Sequence, residues 1–259
     1  MMRSLSCMAV LAGLMAGTPA CAGFEVKGAE KRCVTGIEAD ACYHYFENDS
    51  VHIAYTPAPD MKKDKCPHLS ATLWQISSRL EAPVPDAVKP VQGDMCSAKV
   101  IEVHFPAALR SETEFTIRFY ETDNTDGLGI GAVNFKVYPR NLLDDVKSWA
   151  NYKDNALVVK DKEGRLIDFL DHHKINYLAR DTAPAGARKV SIVTGKDAEE
   201  VEGDAIYLRE TVETFPAVHI HQTAQGMKVT VRIKLVDALA ADDPLAQKMF
   251  AEIFKEIAK

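Results

Sequence analysis

His219 and His221 stand two residues apart in Ala217-Val-His-Ile-His-Gln222. On a strand, side chains two apart leave the same face about 7 Å from each other. That spacing suits two ligands of one metal ion, and histidine clusters in exported proteins point to Cu or Zn. The facing arm, Lys228-Val-Thr-Val-Arg-Ile-Lys-Leu235, places Thr230, Arg232 and Lys234 on the matching side. Cations disfavour a metal and favour an anion, so the same imidazoles with Arg232 also describe an anion site. A solvated polar face is the plain alternative. Asp171-His172-His173 ends a helical segment, where imidazoles gain about 0.3 to 1 kcal/mol from the helix dipole without any function. If His172 and His173 meet His219 or His221 in space, the metal reading strengthens sharply.

Other motifs are incomplete. Thr122-Asp-Asn-Thr-Asp-Gly-Leu-Gly129 has the oxygen-rich look of a calcium loop, but Val133 falls where the last carboxylate is needed. Thr194-Gly195-Lys196 lacks the upstream glycine of a phosphate loop. No Gly-x-Ser-x-Gly elbow exists, and Ser191 lies inside a strand. With no assembled nucleophile, base and orienting partner, the sequence predicts no catalytic residue. Tyr43, Tyr45, Tyr55 and Trp74 are a candidate sugar-stacking or protein-binding face, against the commoner reading of core aromatics.

The chain has 259 residues, is 47% hydrophobic and 26% charged, and carries 31 Lys plus Arg against 37 Asp plus Glu. A net charge of -6 gives no footprint for nucleic acid or anionic lipid. Residues 1–22, with Arg3, the apolar run Met8-Ala-Val-Leu-Ala-Gly-Leu-Met-Ala16 and Ala20-Cys-Ala22, read as a cleaved signal peptide. Its removal takes away Arg3 and leaves the charge at -7 from -6. Periplasmic or secreted placement follows, and lipid anchoring through Cys21 is the rival. No later stretch has the ~18 apolar residues of a membrane helix. Cys33, Cys42, Cys66 and Cys96 then remain, an even count that implies two disulfides with three possible pairings. The favoured pairing is Cys33 with Cys42 and Cys66 with Cys96.

These side chains need elements to hold them. Residues 23–138 show seven short alternating runs, of which Glu114–Tyr120 and Ala132–Tyr138 are the clearest, and so predict a β-sandwich. They pair as a hairpin across residues 122–129. Proline-bearing loops are expected over 56–66 and 81–94. A boundary falls at Pro139-Arg140. In residues 139–259 an amphipathic helix over 142–150 precedes strand, helix, strand, strand in Asn155–Lys160, Gly164–His172, Ile175–Arg180 and Val190–Gly195. Those strands read as covered on both faces. Asp204–Arg209 adds a strand, 217–222 and 228–235 a hairpin, and Asp243-Pro244 opens a terminal amphipathic helix.

The tail, with an apolar strand after Gly226, then Leu235-Val-Asp-Ala-Leu239, Asp243-Pro-Leu-Ala-Gln247 and the last helix, resembles the end of class I glutamine-amidotransferase-like domains. The resemblance spans roughly 155–259. It implies a flavodoxin-like fold, often found beside immunoglobulin-like modules in exported bacterial proteins. No Cys follows Cys96, so the resemblance implies no amidotransferase nucleophile. The expectation is therefore a disulfide-linked immunoglobulin-like sandwich followed by a catalytically silent flavodoxin-like α/β domain. Such a chain would act as a non-enzymatic binding or accessory protein of the bacterial envelope, with an envelope protein or small ligand as partner. A Cu or Zn protein using His172, His173, His219 and His221, and a carbohydrate-binding module, are the alternatives.

Overall fold

The computed structural model describes residues 23–28, 43–59, 66–78, 80–89, 91, 94–121, 128–195, 200–209 and 217–259. Residues 1–22, read above as a signal peptide, and the expected Cys33–Cys42 pairing lie outside the described residues, as does most of the 122–129 turn.

Alternation of apolar and polar residues builds the first strands: β1 (Gly23–Lys27), β2 (His44–Phe46), β3 (Ser50–Thr56), β4 (Leu69–Ile76), β5 (Glu81–Pro83), β6 (Lys99–His104), β7 (Thr113–Glu121) and β8 (Leu128–Tyr138). They form two sheets, β1-β3-β6 and β2-β8-β7-β4-β5. Every neighbouring pair is antiparallel except β2 with β8. Val51, Ile53 and Tyr55 of β3 and Ile101 and Val103 of β6 share one buried cluster with Phe115, Ile117 and Phe119 of β7. The two sheets therefore face each other across a common core, with Phe24 of β1 stacked on Phe119 at 3.9 Å between ring centroids. β5 lies within the segment predicted as loop. The Cys66–Cys96 disulfide, with Cα atoms 5.6 Å apart, ties the entry of β4 to the loop before β6, as predicted.

A second buried cluster belongs to α1 (Asp144–Ala150), β9 (Asn155–Lys160), α2 (Arg165–His172), β10 (Arg188–Thr194), β11 (Asp204–Leu208), β12 (Val218–Thr223), β13 (Gly226–Val231), α3 (Leu235–Ala240) and α4 (Pro244–Ile257). The sheet order is β12-β13-β11-β10-β9, parallel throughout except for the antiparallel edge pair β12–β13. As predicted, Asp243 caps α4, its carboxylate accepting from the Ala246 amide at 3.0 Å, and Pro244 takes the first turn. No described helix is long and apolar enough to cross a membrane.

Leu157, Val190, Ile192, Ile206 and Val229 lie on one face of the sheet and pack with side chains of α1, α2, α3 and α4. On the opposite face Ala156, Val158, Ser191, Val193, Ala205 and Tyr207 are buried as well, so β9, β10 and β11 are covered on both faces as predicted, with the four helices on the first. Three other expectations are corrected. The spatial order differs from the 2-1-3-4-5 of flavodoxin-like sheets: β9, β10 and β11 succeed one another outward, and β9 is an edge strand. Second, Ile175–Arg180 is not a strand. Lys174 turns the chain at φ 56°, and only Leu178 touches β9, through hydrogen bonds with Leu157 and Val159. Last, β13 ends at Val231 and Leu235 opens α3; burial of Ile233 and Leu235 continues the alternation past the end of the strand.

Candidate functional site

The antiparallel register pairs His219 with Thr230 and His221 with Lys228. Across the parallel ladder Thr230 aligns with Tyr207 of β11. These side chains rise from the face that the helices leave uncovered, and they line a cleft of about 600 Å³ with Glu200, Val201, Arg209, Thr223 and Gln225. The two imidazoles are exposed and nearly coplanar, their centroids 6.4 Å apart with 14° between planes.

Arg209 is the residue that sequence reading missed. It directly follows β11, its amide donating to Val231 O at 2.8 Å. Its guanidinium carbon stands 5.6 Å from the Tyr207 ring centroid, and its Nε is buried without a hydrogen-bond partner. Among the described residues no carboxylate pairs with it, and Glu200 is the one acidic residue lining the cleft. The Lys228 ammonium donates to Val201 O and to Gly203 O, the latter at 2.6 Å, while the Tyr207 hydroxyl accepts from the Val201 amide at 3.0 Å. Together they fasten the 201–203 loop beside the cleft. Arg232, named at the sequence level, lies beyond the end of β13 and does not line the cleft; its amide donates to Ala217 O at 2.8 Å.

His172 and His173 close α2, which packs on the opposite face of the sheet. The four histidines therefore do not converge. His173 Nε2 lies 3.1 Å from Asp242 Oδ1. Burial still holds its pKa below the ordinary histidine value, against the pull of Asp242. The aromatic candidates scatter as well. Tyr55 is in the sandwich core, donating its hydroxyl to Met95 O at 2.9 Å, and Tyr43 and Tyr45 pack against the same cluster. Trp74 faces outward alone, with the Arg118 guanidinium 5.2 Å from its centroid. Among the described residues these rings form no shared exposed surface.

A second polar assembly, also missed in the sequence, lies on the outer face of β3 and β6, where the register sets Ser50 opposite His104 and His52 opposite Glu102. Ser50 Oγ is 2.7 Å from His104 Nδ1, His104 Nε2 is 3.1 Å from Glu102 Oε1, and Lys89 Nζ is 2.6 Å from Glu102 Oε2. The hydrogen bond from Lys89 holds the Glu102 carboxyl below its usual range, with the imidazoles of His104 and His52 adding to the effect. Hydroxyl, imidazole and carboxylate are connected as in a nucleophile relay. The strands present them on an open, flat surface, and the His104 amide already donates to Ala87 O at 2.7 Å, so the geometry supplies no oxyanion donor there.

The chain matches no protein-family model and no curated protein.

Proposed function

We propose that this is an exported binding or accessory protein of the bacterial envelope that holds an anionic small molecule in the cleft of the third sheet and does no chemistry there. The observation that carries this reading is Arg209. A cation over Tyr207, whose buried Nε has no partner among the described residues, is a donor in want of an acceptor, and an anionic ligand supplies one. His219, His221 and Thr230 offer further donors on the same face. The leader read from residues 1–22 and the Cys66–Cys96 bond support an oxidising compartment. The division into an immunoglobulin-like sandwich over 23–138 and an α/β unit over 139–259 is supported by the strand order β1-β3-β6 against β2-β8-β7-β4-β5 and by the separate apolar clusters.

Calorimetric titration of the disulfide-intact chain with inorganic phosphate, sulfate and citrate tests the reading. Saturable binding of one of these, weakened at least tenfold by Arg209→Gln in a variant with unchanged thermal unfolding, is the expected result. No saturable heat with any probe, or binding indifferent to Arg209→Gln, rejects it. The stacked pair His219 and His221 favours a second reading, in which the cleft takes Cu or Zn. Stoichiometric metal in the purified protein, lost on His219→Ala, would select it.

A further inference from the structure

The geometry points to a divalent transition-metal site, of the zinc or copper kind, built from His52, Glu102 and His104 on the outer face of β3 and β6, with Ser50 orienting His104. It is independent of the anion cleft, which lies on another sheet.

Two of the three ligand atoms already stand at the required separation. In a tetrahedral site with bonds of about 2.0 to 2.1 Å, neighbouring ligand atoms lie roughly 3.3 Å apart. His104 Nε2 and Glu102 Oε1 are 3.1 Å apart. An ion entering between them replaces this direct contact with a bond to each atom. The other ring nitrogen, Nδ1, sits 2.7 Å from Ser50 Oγ, so with Nδ1 as donor the hydroxyl accepts and fixes the ring with Nε2 facing the ion. Metal-bound histidines generally need such a partner.

His52 supplies the third ligand through register. It lies directly opposite Glu102, and opposed residues on one face of an antiparallel pair have Cβ atoms about 4.5 to 5.5 Å apart. Its ring nitrogens do not stand with the other two ligand atoms in this structure, so binding requires its exposed side chain to rotate onto the ion. Lys89 holds Glu102 Oε2, which leaves Oε1 to bind in monodentate fashion. The fourth position opens to solvent and takes water. The competing group, Cys66, Asp94 and Cys96, already has its atoms together, but its sulfurs are bonded to each other and offer no thiolate.

The test is titration of the metal-stripped, disulfide-intact chain with Zn(II) and, separately, Cu(II), in competition with a chromogenic chelator. One ion per chain is expected, with at least tenfold weaker binding in Glu102→Gln, His104→Ala and His52→Ala, about tenfold weaker binding in Ser50→Ala, and unchanged binding in His219→Ala. The imidazole nitrogen resonances of the wild-type chain give a readout that needs no variant: Zn(II) should shift Nε2 of His104 and leave its Nδ1 protonated. Absence of one-to-one binding, retention of wild-type affinity in Glu102→Gln and His104→Ala, or transfer of the effect to His219→Ala would each overturn the assignment.

Discussion

The ammonium of Lys248, on α4, lies 2.5 Å from a carboxylate oxygen of Glu112, at the entrance to β7 and 136 positions away in sequence. Lys136 of β8 approaches the same carboxylate at 3.5 Å. Burial raises the Glu112 pKa, but the two ammonium groups outweigh it and hold the carboxyl below its usual value, while Glu112 raises that of Lys248. This pair fastens the terminal helix to the sandwich.

A double-mutant cycle with Glu112→Gln and Lys248→Met, read by urea unfolding, should give a coupling of about 0.5 to 1 kcal/mol, the range for partly exposed pairs. Because the folded carboxyl is depressed, its contribution is complete above the unfolded glutamate value of about 4.3 and disappears as pH falls through the folded one. On the alkaline side, the raised lysine loses its contribution as pH climbs above about 10.4.

Asp161 should be a larger single contributor. Its carboxylate accepts from the Leu166 and Ile167 amides at 2.8 and 3.2 Å, at the start of α2, and from the Thr194 hydroxyl at 2.7 Å. Desolvation pushes its pKa up, yet these donors prevail and hold it low. Asp161→Asn should cost about 1 to 2 kcal/mol at neutral pH. The wild type should lose that margin as pH falls from about 4 through the depressed folded value, and the variant should unfold with a flatter acid profile. Equal acid sensitivity in the two would refute the assignment.

Gly226 opens β13 at φ +134°, and a Cβ there would lie 2.8 Å from Asp204 Oδ1 and 2.8 Å from the Gly203 carbonyl carbon. Asp204 is not free to retreat, since it accepts from the Met227 amide at 2.8 Å. Gly226→Ala should therefore destabilise by about 2 to 3 kcal/mol, combining backbone strain with displaced backbone. Thermal unfolding measures it, and a melting temperature within a degree of wild type would count against the close approach.

Reducing the Cys66–Cys96 bond, or replacing both residues with Ser, should lower stability by about 2 to 4 kcal/mol, since it closes a 30-residue separation. Protease resistance of residues 66–96 should fall with it. An unchanged denaturation midpoint under reducing conditions would show that the core holds this loop unaided.

How much the sequence revealed follows from what each element depends on. β3, β6, β7 and β8 were legible because each buries one face, and Phe115, Ile117 and Phe119 declare it. The Asp243-Pro244 start of α4 is local chemistry and was equally plain. β5 has three residues in proline-rich surroundings and left no periodic trace. The one-sided placement of the helices and the outward succession of β9, β10 and β11 depend on how crossovers route the chain, which periodicity does not encode. For the same reason His219 and His221 could be paired by spacing, whereas Arg209 joins them from β11 through the ladder. Ser50, His52, Glu102 and His104 each occupy an ordinary polar position on an alternating strand, and only the β3–β6 register assembles them.

The parallel seam between β2 and β8 bears on how this protein is made. Tyr45 lies beside Val137, and the Lys136 amide donates to Tyr43 O at 2.9 Å, so one of the earliest strands finds its neighbour only after the rest of the sandwich has emerged. During synthesis from the N-terminus that rim stays unsatisfied until β8 is made, open to stray strand pairing. Completion of this sheet is thus a late step that waits for Tyr138.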